Sequence, residues 1–199
     1  MANEIELKSV VTEPAALRQT LEDAGAVLRF HGMMRDRRLD RAGELSARDH
    51  VLRVRRWIDE EGGADVAEMA WKGPTTVNET GYKTRQEIEF SVDDGAAAIA
   101  IFSALGYTVV ESIDRYVEVY DLEETMVRME WFPRMDVLVE IEGEPEGIEL
   151  AIARLGLDRE ACTAESLATF TRRFGERTGE PGILAEDMLQ GAPPGWMTR

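Results

Sequence analysis

Glu4-Ile-Glu-Leu-Lys8 alternates charged and apolar residues. In an extended strand Glu4, Glu6 and Lys8 share one face, with Ile5 and Leu7 on the other. The pattern recurs. Leu52-Arg-Val-Arg55 aligns Arg53 with Arg55, and Tyr82-Lys-Thr-Arg-Gln-Glu-Ile-Glu-Phe90 aligns Lys83, Arg85, Glu87 and Glu89. Val127-Arg-Met-Glu130 aligns Arg128 with Glu130, and Val139-Glu-Ile-Glu-Gly143 aligns Glu140 with Glu142. Carboxylates paired at i, i+2 are hard oxygen donors suited to Mg²⁺ or Mn²⁺. Guanidinium and ammonium groups clamp phosphoryl oxygens. Crowded carboxylates repel unless cations neutralise them. A site holding divalent metal and a polyphosphate accounts for both signs together. The plainer reading makes every charged face a solvated one, with the apolar faces forming a common core.

The elements that would carry these rows are strands at 3–11, 50–58, 65–72, 82–92, 107–110 with 113–120, 125–132 and 136–142. Helical patterns lie between them. One starts at Thr12-Glu-Pro14 and stops near Gly25; a second follows Asp93-Asp94 and ends at Gly106. A third follows Pro145 to Gly156, a fourth runs from about Thr163 to Phe174, and a short one is expected at 183–189. Many strands without βαβ alternation predict an α+β fold, an antiparallel sheet or barrel with helices packed outside. One domain is expected over 1–199, with its core at about 2–175 and a tail at about 180–199.

Composition sets outer bounds. The chain has 199 residues, 44% hydrophobic and 31% charged, as in a globular protein. No apolar run approaches the ~20 residues that cross a bilayer, and the start lacks the apolar core of a signal peptide. With Cys162 as the single cysteine there is no internal disulfide, so a cytoplasmic location is expected. A net charge of −16 argues against nucleic acid and anionic membranes as partners. A small anionic substrate remains compatible, because it senses only the charge within its own pocket.

The ordered set Glu4-x-Glu-x-Lys8, Leu52-Arg-Val-Arg55, Trp71-Lys-Gly-Pro74, Arg85-x-Glu-x-Glu89, Arg115 and Glu140-Ile-Glu-Gly143 resembles the CYTH superfamily, named for class IV adenylate cyclases and thiamine triphosphatases. The resemblance covers roughly residues 2 to 175. It implies an eight-stranded antiparallel β-barrel, a triphosphate tunnel, with the charged rows pointing inward. It assigns Glu4, Glu6, Glu140 and Glu142 to a metal, Mg²⁺ or Mn²⁺, with Glu87 and Glu89 on the acidic side. It gives the triphosphate to Lys8, Arg53, Arg55, Lys72, Arg85 and Arg115, with Lys83 as a further contact. Of these, Lys8, Arg53, Arg55, Lys72 and Arg115 are the expected catalytic residues. Two positions depart from the family pattern. Glu130 stands where aspartate is usual, although its longer carboxylate is still counted among the metal ligands. Ile113 stands where related cyclases carry a lysine, and Lys83, Arg172 or Arg173 would have to replace that cation. Cyclase-type relatives also imply a homodimer.

Three activities fit such a tunnel. Attack of a ribose 3′-oxygen on the α-phosphorus gives cyclic AMP and pyrophosphate. Attack of water on the terminal phosphorus makes a triphosphatase acting on inorganic triphosphate, thiamine triphosphate or a nucleotide. A barrel that only binds polyphosphate would be a sensor. The segments Arg35-Asp-Arg-Arg-Leu-Asp40, Gly73-Pro74 and Gly81-Tyr-Lys83 look closer to the cyclase type, which is the expectation. The tunnel charges are expected to matter little for stability, so that replacing Arg53 and Arg55 together should leave the fold intact. His31 and His50 are read as surface or loop residues, Cys162 as a small buried one, and Trp57, Trp71 and Trp131 as packing under outer helices.

Overall fold

The computed structural model describes residues 2–63, 65–77 and 82–199, with the side chains of 2–4, 77, 83 and 198 excepted. The described strands are β1 (Ala2–Val11), β2 (Val27–Asp40), β3 (Val51–Asp59), β4 (Val66–Lys72), β5 (Thr76–Val77), β6 (Lys83–Val92), β7 (Thr108–Leu122), β8 (Thr125–Trp131) and β9 (Val137–Glu142). Eight of them form a closed antiparallel barrel in the order β1-β9-β8-β7-β2-β3-β4-β6, with β6 returning to β1; the two-residue β5 pairs only with β6. The helices are α1 (Pro14–Asp23), α2 (Gly95–Ala104), α3 (Pro145–Arg154) and α4 (Leu167–Thr178). The expected α+β barrel is what forms. No helix among the described residues is long and apolar enough to cross a membrane.

Period-two alternation sets the layering. Odd residues of β1 and β9 point outward, where Leu7 and Ile141 meet Leu17 and Leu21 of α1 and Ile148 and Ile152 of α3. Each such side chain, fully buried, contributes roughly 1.5–3 kcal/mol. A smaller cluster joins Leu39 and Val54 to Ala98 of α2. A third joins Ile113, Phe132 and Leu138 to Phe170 of α4. Local signals fix the helix starts: Pro14 and Pro145 open α1 and α3, Asp94 accepts from the N–H groups of Ala96 and Ala97, and Ser166 accepts from that of Thr169.

Two strand expectations change. The segments expected at 107–110 and 113–120 are one strand, β7. The longest unforeseen element is β2, fourteen residues between β7 and β3. Its pattern is hidden because Arg35 and Arg37 face outward, to Glu186 and Asp114, while Asp36 faces inward with Arg38. Charge on both faces erases the apolar alternation that marks a strand. Gly32 adds a second break. A Cβ there would lie 2.2 Å from the Ile58 carbonyl oxygen, at a φ of +152, so the close β2–β3 approach requires glycine. The fourth helix starts later than expected and runs further, and the expected helix at 183–189 is a 3₁₀ turn at Glu186–Leu189.

The end of β2 carries a pH-sensitive turn. Asp40 accepts the backbone N–H groups of Leu45, Ser46 and Arg41. These bonds, that of Leu45 foremost, hold its pKa down at about 2. A depressed folded-state pKa stabilises the fold above the unfolded value of about 3.9, and that contribution is lost as pH falls through about 2. Asp40→Asn is therefore expected to lower the urea midpoint at pH 6, with the gap to wild type closing as pH falls from about 4 toward 2. A gap independent of pH would assign the effect to something other than the carboxylate charge.

Candidate active site

Six strands bring alternating charges into one line inside the barrel. Lys8 Nζ lies 2.6 Å from Glu6 and 2.8 Å from Glu140. Glu140 pairs in turn with Arg128, whose Nε donates to Glu130 at 2.8 Å. Arg115 Nε lies 3.1 Å from Glu130, and its Nη2 donates to Asp36 at 3.2 Å. Asp36 receives a two-pronged contact from Arg55, Nε at 2.7 Å and Nη2 at 3.0 Å. From Glu140 to Arg55 every member of this line is buried. Toward β4 and β6 Arg53 donates to Glu89 at 2.9 Å and Lys72 pairs with Glu87, while on β2 and β7 Arg38 donates to Glu111 at 2.6 Å. At the rim, Arg85 donates to the carbonyl oxygens of Gly73 and Asp49.

These walls enclose a cavity of about 500 Å³. Eight cationic side chains and seven carboxylates line it, so the cavity is close to neutral in a chain of net charge −16. An anion that avoids the outer surface is tolerated here. Residues 164–168, leading into α4, complete the lining at one side, and a two-way backbone pairing between Lys8 and Thr163 ties that segment to β1. Further along the inward rows Met34 and Val117 are fully buried, and Trp57 donates from Nε1 to Glu68. Trp57 therefore sits in the bore below Arg55, whose guanidinium lies 5.2 Å from its ring centroid. It is not packed under an outer helix as expected.

Burial penalises every charge in this line, and neighbours decide the outcome. Burial works to lower the Lys8 pKa, but Glu140 and Glu6 overcome it and raise it. Burial likewise opposes ionisation of Asp36 and Glu140. Arg55 and Arg115 hold Asp36 well below the usual carboxylate range, and Arg128 and Lys8 do so for Glu140. Arg53 is the exception among the cations. Burial and the adjacent Arg55 charge outweigh Asp36 and Glu89, and its pKa is lowered. A bound polyanion would relieve that strain.

The structure thus brings Glu6, Lys8, Arg53, Arg55, Lys72, Arg85, Arg115, Glu130 and Glu140 around one cavity. Glu142 is the register partner of Glu6, and Glu87 and Glu89 pair with Lys72 and Arg53. The side chains of Glu4 and Lys83 lie outside the described residues. Arg172 and Arg173 are exposed and paired with Glu176 and Glu165, so neither replaces a tunnel cation. The place of the expected lysine is taken by Ile113, which packs with Leu138 and with Phe170 of α4. That departure anchors a helix. Sequence reasoning missed Asp36, Arg38 and Glu111 and gave Arg128 no role. Arg128 was visible in its row, whereas Asp36 and Arg38 lay in the strand that went unread. His31 contacts Glu60, His50 stacks edge-on against Trp71, and Cys162 is buried.

Comparison with known proteins agrees with this geometry. The CYTH domain model matches residues 2–174. No curated protein matches the sequence. Among solved structures, a candidate adenylate cyclase from Vibrio parahaemolyticus is similar with a TM-score of 0.71 at 14% identity, covering 84% of this chain and 96% of that one. A protein from Pyrococcus horikoshii OT3 gives 0.67 at 22% identity, covering 84% and 98%. A candidate adenylyl cyclase from Hippeastrum, in which triphosphatase activity is dominant, gives 0.62 at 20% identity, covering 92% and 99%. The family match over nearly the whole chain, joined to a closed barrel whose inward rows are charged, means that this chain belongs to the CYTH domain family.

Proposed function

We propose that the chain is a triphosphatase that hydrolyses the terminal phosphoryl group of a triphosphate held in the barrel. One observation carries the reading. The buried Nε–H donors of Arg38 and Arg53 have no hydrogen-bond acceptor among the described residues. A buried donor without an acceptor costs roughly 1–3 kcal/mol. Two such donors lining one cavity fit a ligand that brings several oxygens. A triphosphate brings about four negative charges and many acceptor oxygens.

The donor set also fits a divalent cation. Among the described residues no three carboxylate, histidine or cysteine side chains close into a metal cage. Mg²⁺ needs none, since it commonly takes one or two carboxylates together with substrate phosphates. Glu6 and its register partner Glu142 are the residues that would hold it. Bound there, the metal would neutralise phosphoryl charge as a Lewis acid. The chain's own groups do the rest. Arg53, Arg55, Arg115 and Lys8 orient the phosphate chain, and Arg128 keeps Glu140 ionised. A water oxygen bonds to the terminal phosphorus, the bond to the bridging oxygen breaks, and its electron pair leaves with the diphosphate fragment. The proton released by the water passes to solvent. Asp36 and Glu140 are held ionised far below neutral pH, so the tunnel works by charge and position.

The segment that suggested cyclase chemistry loses its force, because Arg35 and Arg37 face away from the bore. No aromatic ring is among the described residues lining the cavity, so nothing there stacks a purine. The Hippeastrum protein is a precedent for triphosphatase activity on this fold. Incubation with inorganic triphosphate, and separately with ATP, plus Mg²⁺ or Mn²⁺ tests the proposal. Orthophosphate with diphosphate or ADP is expected, and turnover should stop in excess chelator. Cyclic AMP with pyrophosphate as the main products would make it a cyclase, and binding without turnover would make it a sensor.

A further inference from the structure

We propose that the first turn of α4 is part of the substrate site, its Leu167 and Ala168 N–H groups donating to an outer phosphoryl oxygen of the bound polyphosphate. The proposal rests on the triphosphate reading of the cavity and adds a contact that no side chain supplies. An α-helix leaves its first four N–H groups without partners inside the helix. In α4, a helix of 12 residues, Thr169 and Phe170 donate to the carbonyl oxygen of Ser166, and the Ser166 hydroxyl also accepts from Thr169. The N–H groups of Leu167 and Ala168 meet no acceptor among the described residues. Both residues line the cavity.

The packing of α4 puts this turn beside the cationic wall. Phe170 packs on Ile113, and Leu167 lies against the same cluster. Ile113 stands between Glu111 and Arg115 on the row of β7 that faces the bore, and it is the register partner of Asp36. The next inward residue of β2 is Arg38, whose register partner on β3 is Arg53. An independent observation points to a ligand in the same space. The Arg53 side chain is 7% exposed, lines this cavity, and has a buried Nε–H with no acceptor. The partial positive charge at a helix N-terminus, about half an elementary charge, adds to the attraction for an anion. Glu165 is the one carboxylate between Ala164 and Ala168. Arg173 neutralises it, and the Thr163 hydroxyl donates to it.

Leu167 is the first helical residue, where proline is tolerated and removes the N–H. Ser166 already has the extended backbone, φ −73 and ψ 154, that a following proline demands. Leu167→Ala loses the leucine packing but keeps the N–H. Titration of the full chain with inorganic triphosphate and Mg²⁺ compares the two. Leu167→Pro is expected to bind roughly ten- to hundred-fold more weakly than Leu167→Ala, the scale of one hydrogen bond to a charged group, with the same circular dichroism. Equal affinity in the two variants would overturn the proposal, leaving water as the partner of these N–H groups. Should Leu167→Pro fail to fold, Ser166→Asp beside Ser166→Asn decides, since both keep the helix cap. The carboxylate is expected to weaken binding by roughly ten-fold relative to the amide, and equal affinity there would overturn the proposal. A wild type that binds no triphosphate would instead overturn the triphosphate reading, and this contact with it.

Discussion

Arg55→Ala is expected to lower the unfolding free energy by about 3–5 kcal/mol, read as a shift of the urea midpoint. Arg55 and Asp36 are both buried and joined by two hydrogen bonds. Removing the guanidinium leaves a carboxylate in the bore with only Arg115 in hydrogen-bond contact, and an uncompensated buried charge is what makes such a truncation costly. The expectation that tunnel charges matter little for stability fails at this residue, because the side chain is not wet. Adding Asp36→Asn to the variant should recover part of the loss, since the orphaned charge is then gone. If Arg55→Ala unfolded at the wild-type midpoint, the Arg55–Asp36 pair would not be the strut described above.

Arg53→Ala should behave oppositely. Its partner, Glu89, is 41% exposed on its side chain, so breaking that pair is expected to cost at most about 1 kcal/mol. Affinity for inorganic triphosphate should fall by roughly 10–10²-fold, the scale of losing one hydrogen bond to a charged group. The basis is the Arg53 Nε–H, buried without an acceptor beside a second guanidinium that already destabilises its charge. Arg53→Lys should recover only part of the affinity, because an ammonium cannot offer the planar fork. Unchanged affinity in Arg53→Ala, measured on folded protein, would remove Arg53 from the site. Of the two neighbours on β3, Arg55 braces the barrel wall through Asp36 as well as facing the phosphate chain, and Arg53 keeps a donor open to the ligand.

Much of this site was legible because β1, β3, β6, β8 and β9 each keep one face apolar and one face charged. Period two alone put Glu6, Lys8, Arg53, Arg55 and Glu140 on charged strand faces, and the resemblance to the CYTH superfamily turned those faces into the bore. What the alternation could not supply was the identity of the partners. Glu140 reads as a metal ligand in isolation, yet it lies between Lys8 and Arg128. Asp36, at the centre of the line, was hidden because its strand carries charge outside as well as inside. Ile113 read as a missing cation. Its reason, a contact with Phe170 of α4, joins residues far apart in sequence that no local pattern connects.

The most direct measurement is an isothermal titration of the full chain with inorganic triphosphate in the presence of Mg²⁺, run beside orthophosphate. The account predicts one site per chain, much tighter for triphosphate than for orthophosphate, and weakened in folded Arg53→Ala. Triphosphate that binds no better than orthophosphate, or binding that is unchanged by the substitution, would contradict it.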